Sequence, residues 1–176
     1  MKSEPHTFTL PPDLGAQIGR DTLARLVCQA AGACVARRAS ELPCDGPTGP
    51  ASGWGLLGLL TYCYARGVLS SRAITEIVEA DPAARSFCGD AIPQRDDVAC
   101  FRRAHRDLIQ ECLKQVYEAA WQAMVDQAAP GTVPDGRGEN QQRPSQNSPY
   151  DPDDLLRQIN QRISRAAQMD CWSRDW

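Results

Sequence analysis

The sequence predicts an all-α protein, and three observations support this fold class. Apolar residues recur at three- and four-residue steps in several windows, which is the period of an amphipathic helix. No window shows the sustained two-residue alternation that a half-buried strand requires. The 13 glycines and 13 prolines are concentrated in a few stretches between the periodic windows. Because 176 residues is close to the usual size of one domain, we expect one helical bundle with a tail.

The chain is expected to begin with an irregular arm over residues 1–19, in which prolines remove backbone donors. A helix over residues 20–38 follows, and Asp21 is its expected N-cap. Its apolar stripe consists of Leu23, Leu26, Val27, Ala30, Ala31 and Cys34. The segment over residues 43–50 is rich in proline and glycine and therefore predicts a loop.

A nearly apolar helix over residues 53–66 is the expected centre of the core. It ends at Gly67, the residue type that takes the left-handed conformation after a helix. Its apolar run is shorter than the roughly 20 residues that cross a membrane. The N-terminus also lacks the pattern of a signal peptide, so the sequence predicts a cytoplasmic protein with no membrane partner.

Three helices with short connections complete the predicted domain. Ser70 or Ser71 is expected to cap the first of them. Asp81 opens a short second helix that has proline at its first position. The third is predicted as one long helix over residues 97–128, capped by one of the two aspartates at its start. On this helix His105 falls among apolar residues and is expected to be packed there.

Residues 130–150 contain almost no apolar side chain and predict a flexible linker. The acidic run that starts at Asp151 favours a final helix to about Ala167. Its narrow apolar stripe consists of Leu155, Leu156, Ile159 and Ile163. A helix of about 15 residues is marginal alone in water, so it either folds back onto its own domain or pairs with a second chain. The predicted divisions are an arm (1–19), a domain (20–129), a linker (130–150) and a C-terminal helix with its tail (151–176).

Charge and cysteine content exclude several classes of function. The 19 basic and 22 acidic residues give a net charge of -3, which excludes a strongly basic nucleic-acid protein but allows a local basic face. The eight cysteines lack the spacing of zinc ligands and are interpreted as small buried thiols. We expect no metal ion, no cofactor and no catalytic residue.

The last three predicted helices of the domain have the layout of a trihelical helix-turn-helix, whose final helix enters the major groove of DNA. On the predicted helix over 97–128, Arg102, Arg103 and Arg106 form an arc of roughly 100° by the 3.6-residue period. Such an arc indicates contact with DNA, whereas in other helical bundles the same pattern is a solvated face.

A series of motifs runs through the centre of the chain. Residues 56–60 are rich in leucine, residues 62–67 read Tyr-x-Tyr-x-x-Gly, and residues 70–74 read Ser-Ser-Arg-x-Ile. Residues 101–105 read Phe-Arg-x-x-His. This series resembles the N-terminal domain of bacterial insertion-sequence transposases of the DDE type, and the resemblance covers about residues 14–125.

The resemblance implies a helical domain that grips the terminal inverted repeats of its element and assists self-association. In that family, catalysis belongs to a following RNase H-like domain, in which three carboxylates hold two metal ions. This chain has its predicted linker where that domain would begin, so we expect no nuclease activity. The candidate DNA-binding residues are Arg72, Arg95, Arg102, Arg103 and Arg106.

Other features of the same region weaken the expected affinity for DNA. Asp96 and Asp97 occupy the end of the final helix that would read DNA, and carboxylates repel phosphate. Arg72 can pair with Glu76 four residues later instead of with a phosphate. The leading hypothesis is a truncated or stand-alone transposase-type N-terminal domain with weak DNA binding. The alternative is a helical protein–protein interaction module of the same origin that associates through its C-terminal helix.

Overall fold

The computed structural model describes residues 9–38, 53–89, 91–128 and 151–172. Within these ranges all regular structure is α-helical, which confirms the predicted fold class. The helices are α1 (Leu14–Ile18), α2 (Arg20–Arg37), α3 (Gly53–Ala65), α4 (Ser71–Ala80), α5 (Pro82–Cys88), α6 (Arg95–Ala104), α7 (Arg106–Ala128) and α8 (Pro152–Trp172). The loop predicted over 43–50 and the linker predicted over 130–150 lie outside the described residues.

Helix α3 is the centre of the core, as its composition predicts. All its residues from Gly55 to Ala65 are buried, and α2, α5, α6 and α7 pack around it. After the helix, Gly67 takes a φ of 75°, and a Cβ at this position would lie 2.4 Å from the carbonyl oxygen of Pro12. Glycine is therefore required at position 67 both by the backbone conformation and by the close approach of the N-terminal segment.

Two of the predicted helix caps are present at α4 and α5. The Ser70 hydroxyl accepts a hydrogen bond from the backbone N–H of Ala73 at 3.2 Å. The Asp81 carboxylate accepts one from the N–H of Ala83 at 2.9 Å. Helix α4 contacts both α5 and α6, so these three helices form one unit. The prediction that Asp21 caps α2 is wrong, because α2 already begins at Arg20.

The long helix predicted over residues 97–128 is divided at His105. This residue has φ -123° and ψ 35°, which ends α6, although its N–H still donates to the carbonyl oxygen of Phe101 at 2.9 Å. Its own carbonyl accepts the first hydrogen bond of α7, from Ile109 at 3.0 Å. The imidazole packs on the Phe101 ring with 4.5 Å between ring centroids. The packing of His105 is confirmed, and the single long helix is wrong.

Helix α8 folds back onto its own domain and packs on α6 and α7. Its buried face consists of Leu155, Ile159, Ile163 and Ala166. Leu156, which the periodicity assigns to the same stripe, is only partly buried. The helix extends beyond its predicted end near residue 167, and its last turn lies against α6 and the start of α4. The predicted irregular arm also contains the short helix α1.

The prediction that the cysteines are buried thiols is only partly correct. Cys34, Cys63, Cys88 and Cys112 are buried in the core. The exposed ones are Cys28, Cys100 and Cys171. All seven of these cysteines are free thiols, and Cys44 lies outside the described residues.

Candidate nucleic-acid interface

Arg102 lies in α6 and points into the protein, with 2% of its side chain exposed. Its Nη1 donates to the carboxylate of Asp170 at 2.6 Å and to the carbonyl oxygen of Ala166 at 2.7 Å, both on α8. Its Nη2 donates to the carbonyl oxygen of Leu69 at 2.8 Å. Arg102 therefore joins α6 to the C-terminal helix and to the loop that precedes α4.

The same Asp170 carboxylate is held from its other side by Ser71, the first residue of α4. One oxygen accepts from the Ser71 backbone N–H at 2.9 Å, and the other accepts from the Ser71 hydroxyl at 2.5 Å. A carboxylate is favoured here because the helix dipole places partial positive charge at the start of α4. We call Ser71, Arg102 and Asp170 the α8 anchor.

Arg103 and Arg106 lie beside the α8 anchor on the exposed surface. The Arg103 side chain borders a cavity of about 90 Å³ next to the anchor, and its Nη2 lies 3.3 Å from the sulfur of Cys100. Arg106 begins α7, and its Nη2 donates to the hydroxyl of Ser164 on α8 at 2.8 Å. Both guanidinium groups are therefore oriented along the side of α8 and remain accessible to solvent.

The other two candidate arginines lie at helix starts. Arg72 directly follows Ser71 and pairs with Glu76, with 2.8 Å between Nε and Oε1. The pair with Glu76 that the spacing predicts for Arg72 is therefore present. Arg95 is the exposed first residue of α6, nearly two turns before the anchor residue of that helix. The structure thus brings Arg102, Arg103 and Arg106 to the α8 anchor or to α8 itself, whereas the side chain of Arg72 pairs with Glu76 and Arg95 lies apart.

The prediction of one exposed arc over Arg102, Arg103 and Arg106 is wrong. Because α6 ends at His105, Arg106 belongs to the next helix. Arg102 faces the interior because it pairs with Asp170 and is covered by α8. It is therefore out of reach of an external ligand while α8 is in place.

Asp96 and Asp97 lie in the first turn of α6. The Asp97 carboxylate accepts a hydrogen bond from the backbone N–H of Gln94 at 2.9 Å, so it completes a capping box. Asp96 is exposed in the same first turn. These carboxylates oppose the approach of phosphate at the start of α6. Of the candidate arginines, the exposed ones beyond the start of α6 are Arg103, near its end, and Arg106, which begins α7 beside the exposed Asp107.

The two tyrosines of the Tyr-x-Tyr-x-x-Gly motif are buried in the core, whereas Gly67 and Arg72 of the same motif series are exposed. The Tyr62 hydroxyl donates to Asp81 at 3.1 Å, and Arg66 forms an ion pair with the same carboxylate oxygen. Burial raises the pKa of Tyr62 to about 12. Burial also acts to raise the pKa of Asp81, but hydrogen bonds from Ala83 and Tyr62 and the charge of Arg66 outweigh it and lower that pKa. These residues position α3 against α5.

Arg162 is a second arginine that fixes α8, and the sequence gives no sign of its role. It donates to the carbonyl oxygens of Tyr64 at 3.0 Å and Pro11 at 2.8 Å, and to the Tyr117 hydroxyl at 2.6 Å. Burial raises the pKa of Tyr117 to about 12, so this phenol remains protonated at neutral pH. Because its acceptors come from three distant parts of the chain, no local pattern could have identified them.

No helix in the described ranges combines the length and the apolar character needed to cross a bilayer. Among the described residues, no three histidine, cysteine, aspartate or glutamate side chains lie close enough together to bind a metal ion. No protein-family model, curated protein or solved structure matches the chain. The basis for a function is therefore the arrangement of charged side chains around the α8 anchor.

Proposed function

We propose that this chain is a helical domain of the transposase N-terminal type, which binds the backbone of duplex DNA and itself catalyses no reaction on it. The observation that carries the proposal is the exposed pair Arg103 and Arg106 at the junction of α6 and α7. The planar guanidinium group donates two parallel hydrogen bonds to phosphate, which makes arginine suited to this contact.

The position of these arginines suggests how DNA would approach. In a helix-turn-helix, residues at the start of the last helix contact base edges. Here the start of α6 carries Asp96 and Asp97 beside Arg95, whereas Arg103 lies near the end of α6 and Arg106 begins α7 beside Asp107. We therefore assign the contact to the end of α6 and the first turn of α7, with α8 alongside. Phosphate contacts position a protein but carry no sequence information, so this binding is non-specific.

Fluorescence anisotropy with a labelled 20-base-pair duplex tests the proposal. We expect a Kd of roughly 10⁻⁴ to 10⁻⁶ M that weakens as salt rises, which is the range of non-specific contacts. Arg103→Glu should weaken binding by at least about tenfold, because it replaces a phosphate donor with a repelling charge. Arg25→Glu makes the same charge change on the exposed face of α2 and should alter the Kd by less than about twofold. Incubation of the protein with duplex and Mg²⁺ should produce no strand cleavage.

The alternative function is a protein–protein interaction module, and one surface favours it. A groove of about 210 Å³ lies between the N-terminal segment and α7, bordered in part by Trp121 and Met124. Val125, in the same helix, is 42% exposed. Because the apolar stripe of α8 is already covered, association would use this groove instead. Absence of DNA binding at low salt, with the protein folded, would favour this alternative.

A further inference from the structure

The α8 anchor has the donor set of a phosphate site. Its donors are a backbone N–H at a helix N-terminus, a hydroxyl group and a guanidinium group, and all three converge on the Asp170 carboxylate. Proteins use these groups to bind phosphate oxygens. Ser71 and Arg102, which supply the donors, belong to α4 and α6, whereas the anion comes from α8, 99 positions after Ser71.

Arg102 makes the site rigid and makes an anion necessary. Its side chain is 2% exposed, and its guanidinium is fixed by the carbonyl oxygens of Leu69 and Ala166. Among the described residues, its Nε finds no acceptor. A buried charge without a counterion is strongly unfavourable, so another anion is favoured in the place of Asp170 when that carboxylate departs.

Apart from the hydrogen bonds of Asp170, few buried apolar contacts hold the last turn of α8. After Ala166, the helix buries no further apolar side chain among its described residues, and Gln168, Met169 and Cys171 are exposed. Helix ends open locally at low cost when few apolar contacts hold them. The last turn can therefore open while Ile159 and the rest of the buried face stay in place.

We propose that Asp170 occupies a phosphate-binding site from within the same chain, and that opening of the last turn of α8 exchanges this carboxylate for a phosphate of the DNA backbone. The inference rests on the proposed function for the identity of the phosphate as part of DNA. The site lies where that function needs it, because Arg103 borders the cavity beside Asp170 and Arg72 follows Ser71. The C-terminal helix thus limits the affinity of the domain for DNA.

The first test uses inorganic phosphate, which reports on the site without DNA. In the full chain with Asp170→Asn, we expect a saturable change in the amide NMR shift of Ser71 as phosphate is added. The wild type should show no such change, because its own carboxylate fills the site. Asp153→Asn removes the same charge from the exposed first turn of α8 and should behave like the wild type.

The second test compares DNA affinity by anisotropy at one salt concentration. Asp170→Asn should bind the duplex about three- to tenfold more tightly than wild type, and Asp153→Asn less than twofold more tightly. Gln168→Gly keeps the carboxylate but weakens the last turn, and should also increase DNA affinity. If circular dichroism shows that Asp170→Asn does not fold, Gln168→Gly takes its place in both tests.

The outcomes separate this inference from the proposed function. Phosphate binding at Ser71 together with tighter DNA binding supports both. A different result overturns the inference and leaves the proposed function standing: the wild type binds DNA, the variants show no phosphate binding at Ser71, and their DNA affinity is no higher than that of the wild type. If the variants bind phosphate at Ser71 and none of the proteins binds DNA, the anion site is supported, while regulation of DNA binding is overturned together with the proposed function.

Discussion

Gly58 in α3 lies so close to Phe87 in α5 that a Cβ at position 58 would come within 2.6 Å of the phenyl Cδ1. The ring is buried and also contacts Tyr62, with 5.7 Å between centroids, so it has little room to move. Gly58→Ala should therefore destabilise the fold by about 1–3 kcal/mol, as overpacked cores do. Urea denaturation measures the change.

Gly32→Ala is the matched control, because it makes the same change inside α2 where a Cβ would meet nothing within 4 Å. We expect it to stabilise the protein by about 0.5–1 kcal/mol, since alanine has the higher helix propensity. Equal effects at the two positions would contradict the close packing of α3 on α5. Gly58→Ala combined with Phe87→Leu should recover part of the lost stability.

Asp81 makes stability depend on pH at the acidic end. A carboxyl group whose pKa is lowered in the folded state stabilises the fold at pH values above its unfolded pKa, 3.8. This stabilisation is lost as the pH falls through the folded-state pKa. Asp81→Asn keeps a side-chain cap but removes the charge. The difference in unfolding free energy between wild type and variant should be largest near neutral pH and shrink below about pH 4. A difference that is independent of pH would contradict the role of the charge.

Ile159 tests whether α8 folds back in solution as it does in the structure. Its side chain is fully buried against the domain, and Ile159→Asp would place a charge there. We expect a loss of at least about 3 kcal/mol of stability and increased binding of a hydrophobic dye, with no change in molar mass by light scattering. Gln161→Asp, on the exposed side of α8, should change stability by less than about 0.5 kcal/mol. A fall from dimer to monomer in Ile159→Asp would show that α8 serves association instead.

Arg162 should control the order of the N-terminal segment. Arg162→Met keeps most of the side-chain volume but removes the donors to Pro11, Tyr64 and Tyr117, at a cost of about 2–4 kcal/mol. Hydrogen exchange at the amide of Leu10 should accelerate, because this amide donates to Gln158 on α8 at 2.7 Å. Arg165→Met, on the exposed surface, should leave that exchange rate unchanged.

The elements that could be predicted from the sequence are those with local causes. Gly67, Ser70 and Asp81 fix helix ends through their own backbone preference or side-chain oxygen, and each acts where the pattern places it. The pair of Arg72 with Glu76 follows from four-residue spacing in the same way. The break at His105 carries neither proline nor glycine, so composition gives no warning of it.

The candidate site depends on contacts that no window of sequence contains. The periodicity identifies the arginines of α6 but assigns Arg102 to the surface, because the partner that buries it lies 68 positions later. The same reason hides Ser71, which acts through a carboxylate 99 positions away. Arg102 is buried because α8 packs over it, whereas Arg103 and Arg106 remain exposed.

The hydrogen bond from Leu10 to Gln158 joins residues 148 positions apart, and this distance has a consequence for protein synthesis. Leu10 leaves the ribosome long before Gln158 is translated, so the N-terminal segment and the apolar surface beneath α8 stay uncovered for most of elongation. Native contacts of such high sequence separation form late. A nascent chain stalled before α8 would expose this surface to chaperones and proteases, and emergence of α8 from the ribosome is the step that completes the domain.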